Sequence, residues 1–248
     1  MTLQSIFRSN KNYGVGFTFE ITNPKDKKKV VAYLIGTSHF VDGESLRKSN
    51  FQQIVDKCSA LYSEVGTDLF ITSAHGSRPE GDHEYINVTH RFCDDAEITL
   101  EAWIKRIPII SLDKGVPEMA LWRDSTRSRR HAAGPDQFEE WTMNHQTSQI
   151  HIRAIQAWEE GNAKFWAARR KAAENVPAQD GMPPGHVLVK EREDHWMEIL
   201  VPKLRETQKP ICIAVGAAHV VGVNSLPDRF KKAGFKVERM YSTPRSNL

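Results

Sequence analysis

Cysteine is scarce in this chain: Cys58, Cys93 and Cys212 are the only three among 248 residues, and no two form a CxxC pair. That spacing excludes a disulfide framework and the compact thiolate metal motifs, and it favours a reducing compartment. Long apolar runs are missing as well. Nothing approaches the roughly 18 uninterrupted apolar residues that a membrane span needs, and the opening MTLQSIFRSNKNYG carries no apolar segment of the signal-peptide kind. A cytoplasmic protein with no membrane span is therefore expected, and the sequon at Asn87-Val88-Thr89 reads as accidental. Charge of one sign is lacking too: the net value is +3 and the pI about 8.7, too mild a balance to argue for nucleic acid. Gly-x-Ser-x-Gly, Walker and dinucleotide fingerprints are all absent, which takes support from the commoner hydrolase and nucleotide readings. What remains, 40% apolar and 26% charged, is ordinary for a globular chain of one domain over residues 1–248.

The most informative feature present is a repeated template. VVAYLIGTSHFVDGESL ends at Leu46 and ICIAVGAAHVVGVNSL at Leu226, and the two align without a gap. Gly36 matches Gly216, His39 matches His219, and Val41, Ser45 and Leu46 match Val221, Ser225 and Leu226. An apolar run bounded by glycine reads as a buried strand, with the glycine allowing the backbone to turn where a side chain would obstruct it. Each histidine then falls just past the carboxyl end of a strand, where open α/β sheets hold their ligands.

The rest of the chain alternates strands and helices. Gly16–Ile21 and Lys29–Ile35, joined by NPKD, predict a hairpin. A helix is expected over Glu44–Cys58, a strand over Ala60–Val65, a helix through Leu100 and Trp103, and a strand over Ile107–Leu112. Near the end, Ile211–Val215 and Phe235–Met240 read as strands flanking a helix over Leu226–Ala233 that Gly234 closes. The pattern predicts an α/β fold with a mainly parallel central sheet, an amino-terminal hairpin and flanking helices. Residues 117–185 interrupt it. Phe138, Trp141, Ile152, Ile155, Trp158, Phe165 and Trp166 form a helical apolar stripe there, so an inserted helical layer or lid is expected. Its aromatics read as packing between helices, with a substrate-facing wall as the other possibility. The basic run Arg123, Arg127, Arg129 and Arg130 reads as a solvated helix face.

One histidine at a strand end can be a simple cap. Two that share Gly-x-x-His are better explained by a metal or proton-transfer site that needs two imidazoles in one place. Glu64 adds a carboxylate at the end of an otherwise apolar strand, where it is costly unless paired or ligating. His39, Glu64 and His219 thus make a candidate set of two histidines and a carboxylate that leaves a metal position open for water. His75, His83 and His90, with Asp82, are a rival cluster, but their spacing fits no compact zinc motif and the segment reads as a polar loop.

The ordered set of YLIGTSH, LYSEVG, IPIISLD, EREDHWMEIL and AVGAAHVVGVNSLPDRFKKAGFKVERM resembles the TraB/GumN (TIKI) family, within a wider ChaN/EreA-like grouping. The resemblance implies that His39, Glu64 and His219 are catalytic residues and metal ligands. It further implies a metallopeptidase that uses divalent manganese, cobalt or zinc on a peptide or protein substrate. Arg192 and Trp196 match an Arg-Asn pair and following aromatic of that family, which makes Arg192 a fourth catalytic candidate; a salt bridge to Glu191 or Asp194 is its alternative. Glu193 stands in place of the family's asparagine and Asp113 in place of a glutamate. Ser38 and Asp113 are the expected substrate-binding residues. Two other functions stay open on the same fold: a ChaN-like haem or tetrapyrrole binder, and a catalytically silent interaction protein.

Overall fold

The computed structural model describes residues 16–26, 29–38, 51–64, 94–114, 149–178 and 183–240. Six strands form one sheet in the order β4-β3-β5-β2-β1-β6: β1 Phe17–Thr22, β2 Val30–Thr37, β3 Leu61–Ser63, β4 Ile109–Ser111, β5 Ile211–Gly216 and β6 Lys236–Met240. The helices are α1 Phe51–Lys57, α2 Asp94–Ile104, α3 Gln149–Glu159, α4 Ala163–Glu174, α5 Arg192–Glu206 and α6 Leu226–Lys232. β2, β5, β3 and β4 pair in parallel, whereas β1 runs antiparallel to both β2 and β6. This is the expected α/β fold with a mostly parallel sheet and an antiparallel hairpin. The strand 236–240 has moved to the far edge, because its partner is the hairpin strand β1 and not a member of the parallel set.

Local chemistry accounts for the elements. In the hairpin turn the Asn23 side-chain oxygen accepts from the backbone N–H of Lys25 at 2.7 Å and Asp26 at 3.3 Å, the short-range bonding that makes Asn a turn former. Residues 31–37 of β2 are buried at every position, so both alternating faces are covered, as a mainly apolar strand in the middle of the sheet requires. Asn162 caps α4 by accepting from Phe165 N–H at 3.1 Å. Pro227 sits in the first turn of α6, and Gly234 follows its end at a φ of +95°.

The two strands of the repeated template are neighbours. Thr37 lies opposite Gly216 in the β2–β5 register, so the two template strands end side by side. Neither motif glycine is at positive φ; the reason for glycine is close approach, which corrects the expectation of a sharp turn. A Cβ on Gly36 would overlap the Val220 side chain and come within 2.9 Å of Phe17 Cβ; one on Gly216 would sit 3.2 Å from Glu64 Oε1.

Of the segment 117–185, α3 and α4 are described. Trp158 of α3 is fully buried and donates from Nε1 to the Gly36 carbonyl at 2.7 Å, at the carboxyl end of β2. Trp166 of α4 is also in the core. Phe138, Trp141 and the four arginines between 123 and 130 lie outside the described residues.

Candidate functional site

Four parallel strands deliver the site from their carboxyl ends. Glu64 directly follows β3, Asp113 lies two residues past β4, and Gly216 ends β5 and opens the single turn Ala217–His219. The β3–β4 pairing runs on past the strands, with Asp113 N–H donating to the Glu64 carbonyl at 3.3 Å, which sets the two acids side by side. Ser38, just past β2, is buried at the same end.

Arg192 reaches these carboxylates from the first position of α5. A π-helical turn, Val187–Glu191, precedes it. Arg192 sends its backbone N–H to the Val187 carbonyl five residues back, and its Nη1 donates to Leu188 O at 3.0 Å. The guanidinium then forks onto Asp113, Nε to Oδ1 and Nη2 to Oδ2, both at 2.9 Å, while Nη2 also donates to Glu64 Oε2 at 2.7 Å. Trp196, one helical turn on, stacks near Arg192 with 4.7 Å from ring centroid to Cζ and donates from Nε1 to Asp113 Oδ1 at 3.0 Å. Burial works against the guanidinium charge, but the Glu64 and Asp113 carboxylates outweigh it and push its pKa further up. Neither Glu191 nor Asp194 pairs with Arg192. Glu191 meets His186, and Asp194 meets Arg229. Asp113 therefore serves as the bidentate acceptor of the arginine.

His219 is buried between two carboxylates. Its Nδ1 is 2.8 Å from Glu193 Oε1 and its Nε2 is 3.8 Å from Glu64 Oε1, while the Trp196 ring packs edge-on at a centroid distance of 4.8 Å. Glu64 Oε1 also accepts the Gly216 N–H, a close approach that an added Cβ, 3.2 Å from the same oxygen, would crowd. Glu193 is wholly buried. Arg170 of α4 grips both its oxygens, with Nη2 to Oε2 at 2.9 Å and Nη1 to Oε1, and Arg229 Nε adds a contact to Oε2 at 3.2 Å. Burial by itself would raise the Glu193 pKa. The hydrogen bonds and charges of His219 and Arg170 overcome that and hold the carboxyl below its ordinary range.

The structure thus brings together Glu64, Asp113, Arg192 and His219, with Ser38 at the same sheet end. His39, together with the rival His75, His83 and His90, lies outside the described residues. Among the described residues no group of three His, Cys, Asp or Glu side chains is placed to hold a metal ion. The donor chemistry nonetheless fits one. An imidazole whose Nδ1 is tied to a carboxylate presents its other nitrogen as a ligand, the usual arrangement behind a metal-binding histidine. Two donors of one ion, with bonds of about 2.1 Å each, stand no more than roughly 4 Å apart. The Nε2–Oε1 separation of 3.8 Å falls within that reach.

Two residues of the site escape sequence reasoning. Glu193 reads there only as a lost amide, and Arg170 sits in the charged run AARRKAAE. The available signal for Arg170 was its spacing of four from Glu174, which it does contact, Nε to Oε1 at 3.1 Å.

The model of the TraB/PrgY/gumN family matches residues 132–239. The match includes α3 and α4, which the sequence reading treats as part of an insertion, and carries Arg170, Arg192, Glu193, Trp196 and His219; His39, Glu64 and Asp113 precede it. No curated protein and no solved structure matches the chain.

Proposed function

We propose that this protein, whose residues 132–239 match the TraB/PrgY/gumN family model, is a metal-dependent hydrolase acting on a peptide bond of a peptide or protein substrate. The observation that carries the proposal is His219 itself, with Nδ1 bonded to Glu193 at 2.8 Å and Nε2 turned toward Glu64 Oε1 at 3.8 Å. His219 Nε2 and Glu64 Oε1 would hold a divalent ion such as manganese, cobalt or zinc, with His39 as the further ligand. Such an ion, when bound, supplies Lewis-acid polarisation of a carbonyl and a more acidic water.

The chain's own residues do the rest. Glu64 is either a ligand or the acceptor of the water's proton, and Arg192 fixes its carboxylate through the 2.7 Å bond to Oε2. Among the described residues four Arg192 N–H donors have partners, and the fifth, on Nη1, would serve a substrate oxygen. Asp113 and Trp196 hold the guanidinium in that orientation. No described helix is long and apolar enough to cross a membrane. Cys58 and Cys212 are free, buried thiols, which supports a reducing, cytoplasmic setting.

Elemental analysis of the purified protein, alongside His39→Ala and His219→Ala, tests the reading. One divalent ion per chain in the wild type and its loss in both variants, with parallel loss of activity on a peptide library, is expected. Equal metal content in all three would end the proposal. A Soret band on haem titration without hydrolysis would instead favour the tetrapyrrole binder.

A further inference from the structure

We propose that Glu193 is a positioning residue that keeps the His219 proton on Nδ1 and the lone pair on Nε2, facing Glu64, and that Arg170 is the buried counterion that holds Glu193 in place. The inference rests on the proposed metal site for its purpose. Its geometry stands without that site.

An ionised carboxylate only accepts hydrogen bonds, so a ring nitrogen 2.8 Å from Glu193 Oε1 must be the donor. In the neutral ring that assignment leaves Nε2 as the unprotonated nitrogen. Glu193 cannot easily leave this role, because both its oxygens are held: Oε1 by His219 and Arg170, Oε2 by Arg170, with the Arg229 guanidinium as a further positive charge 3.2 Å from Oε2. The ring is fixed from another side by Trp196. Arg170 holds the turn as well as the acid, since its Nη1 also donates to the Ala218 carbonyl at 3.0 Å, one residue before His219. Its aliphatic stem packs against Gly222, where an added Cβ would meet Arg170 Cδ at 3.5 Å. The helix α4 thereby contributes a buried charge to the candidate site, 4% exposed and directed at a carboxylate that is not exposed at all.

An asparagine or glutamine amide could not do the same work in this setting. One of its two polar atoms is a donor, and Arg170, which donates to both carboxylate oxygens, would face it with a donor of its own. The carboxylate at position 193 and the arginine at 170 form a matched pair, and burying either alone is strongly unfavourable.

The test reads the tautomer directly. In metal-free protein labelled with nitrogen-15 on histidine, in mildly alkaline solution, the His219 signals are assigned by their loss in His219→Asn. Long-range nitrogen–hydrogen correlation should show a protonated Nδ1 and an unprotonated Nε2. Glu193→Gln should give mixed or inverted tautomers, and Glu193→Asp should restore the wild-type pattern at least in part. A wild-type His219 protonated on Nε2, or an unchanged pattern in Glu193→Gln, would overturn the proposal. The wild-type measurement alone decides it should the variants not fold. Manganese(II) titration then gives a second reading, with affinity in Glu193→Gln weaker by about 10- to 100-fold. If the wild type binds no manganese, cobalt or zinc, the hydrolase reading fails while the tautomer result still stands or falls by the spectrum.

Discussion

The two motif glycines match in sequence but are held by different neighbours, so replacing each by alanine should separate packing from site chemistry. A methyl group on Gly36 would overlap Val220, approach Phe17 Cβ at 2.9 Å and meet the Ala217 backbone at 3.3 Å. All three neighbours are buried in the core, and two belong to the turn that carries His219. Overpacking of this kind costs about 1–3 kcal/mol, against which the reduced freedom of the unfolded chain returns roughly 0.4–1 kcal/mol. For a chain of this size a net loss of about 1–2 kcal/mol lowers the melting temperature by roughly 2–8 °C. On Gly216 the methyl group would meet Glu64 Oε1 at 3.2 Å and His219 Cδ2 at 3.7 Å, and the backbone, at φ −54° and ψ 141°, suits alanine. A carboxylate can give way by a few tenths of an ångström, so stability should change by less than about 0.5 kcal/mol. The cost should appear in the site, because the Gly216 N–H bond to Glu64 is displaced. Thermal unfolding and manganese(II) titration of Gly36→Ala and Gly216→Ala are the assays. If Gly216→Ala is the less stable of the two, or if it binds metal as the wild type does while Gly36→Ala melts normally, the assignment of these roles is wrong.

Glu64→Gln keeps the side-chain shape and loses basicity; hydrolysis of a peptide library should stop while circular dichroism stays native, and wild-type turnover would remove Glu64 from the chemistry. Arg192→Lys retains charge but not the fork that holds Asp113 and Glu64 at 2.7–2.9 Å, so turnover should fall about 100-fold and urea unfolding should show a loss of about 1–3 kcal/mol. An Arg192→Lys protein with unchanged rate and stability would contradict the geometry. Trp158→Phe removes the bond to the Gly36 carbonyl and leaves a gap in the core, and a destabilisation of about 2–3 kcal/mol by denaturant titration is expected.

Strand ends are legible in a sequence because topology decides where they point. Once VVAYLIG and ICIAVG read as buried parallel strands, whatever follows them emerges at one edge of the sheet, and Glu64 and Asp113 follow β3 and β4 in the same way. Strand neighbourhood needs more than periodicity: the paired templates suggest that β5 lies near β2, whereas β3 on the other side of β5 and β6 beside β1 at the far edge have no local signal. The helix-borne residues obey another logic. Arg170 and Glu193 lie in charged stretches, AARRKAAE and EREDHW, where a period of 3.6 assigns charged residues to solvent. Each is buried with the other as a neutralising partner, joined by Glu174 on Arg170 and by His219 and Arg229 on Glu193. A pair that belongs to two helices and meets through side chains alone leaves no mark at either position by itself. The substitution of glutamate for an expected asparagine was the one visible trace, and taken singly it reads as a loss. Beside Arg170 it reads as an exchange of an amide for a charged pair around the same imidazole.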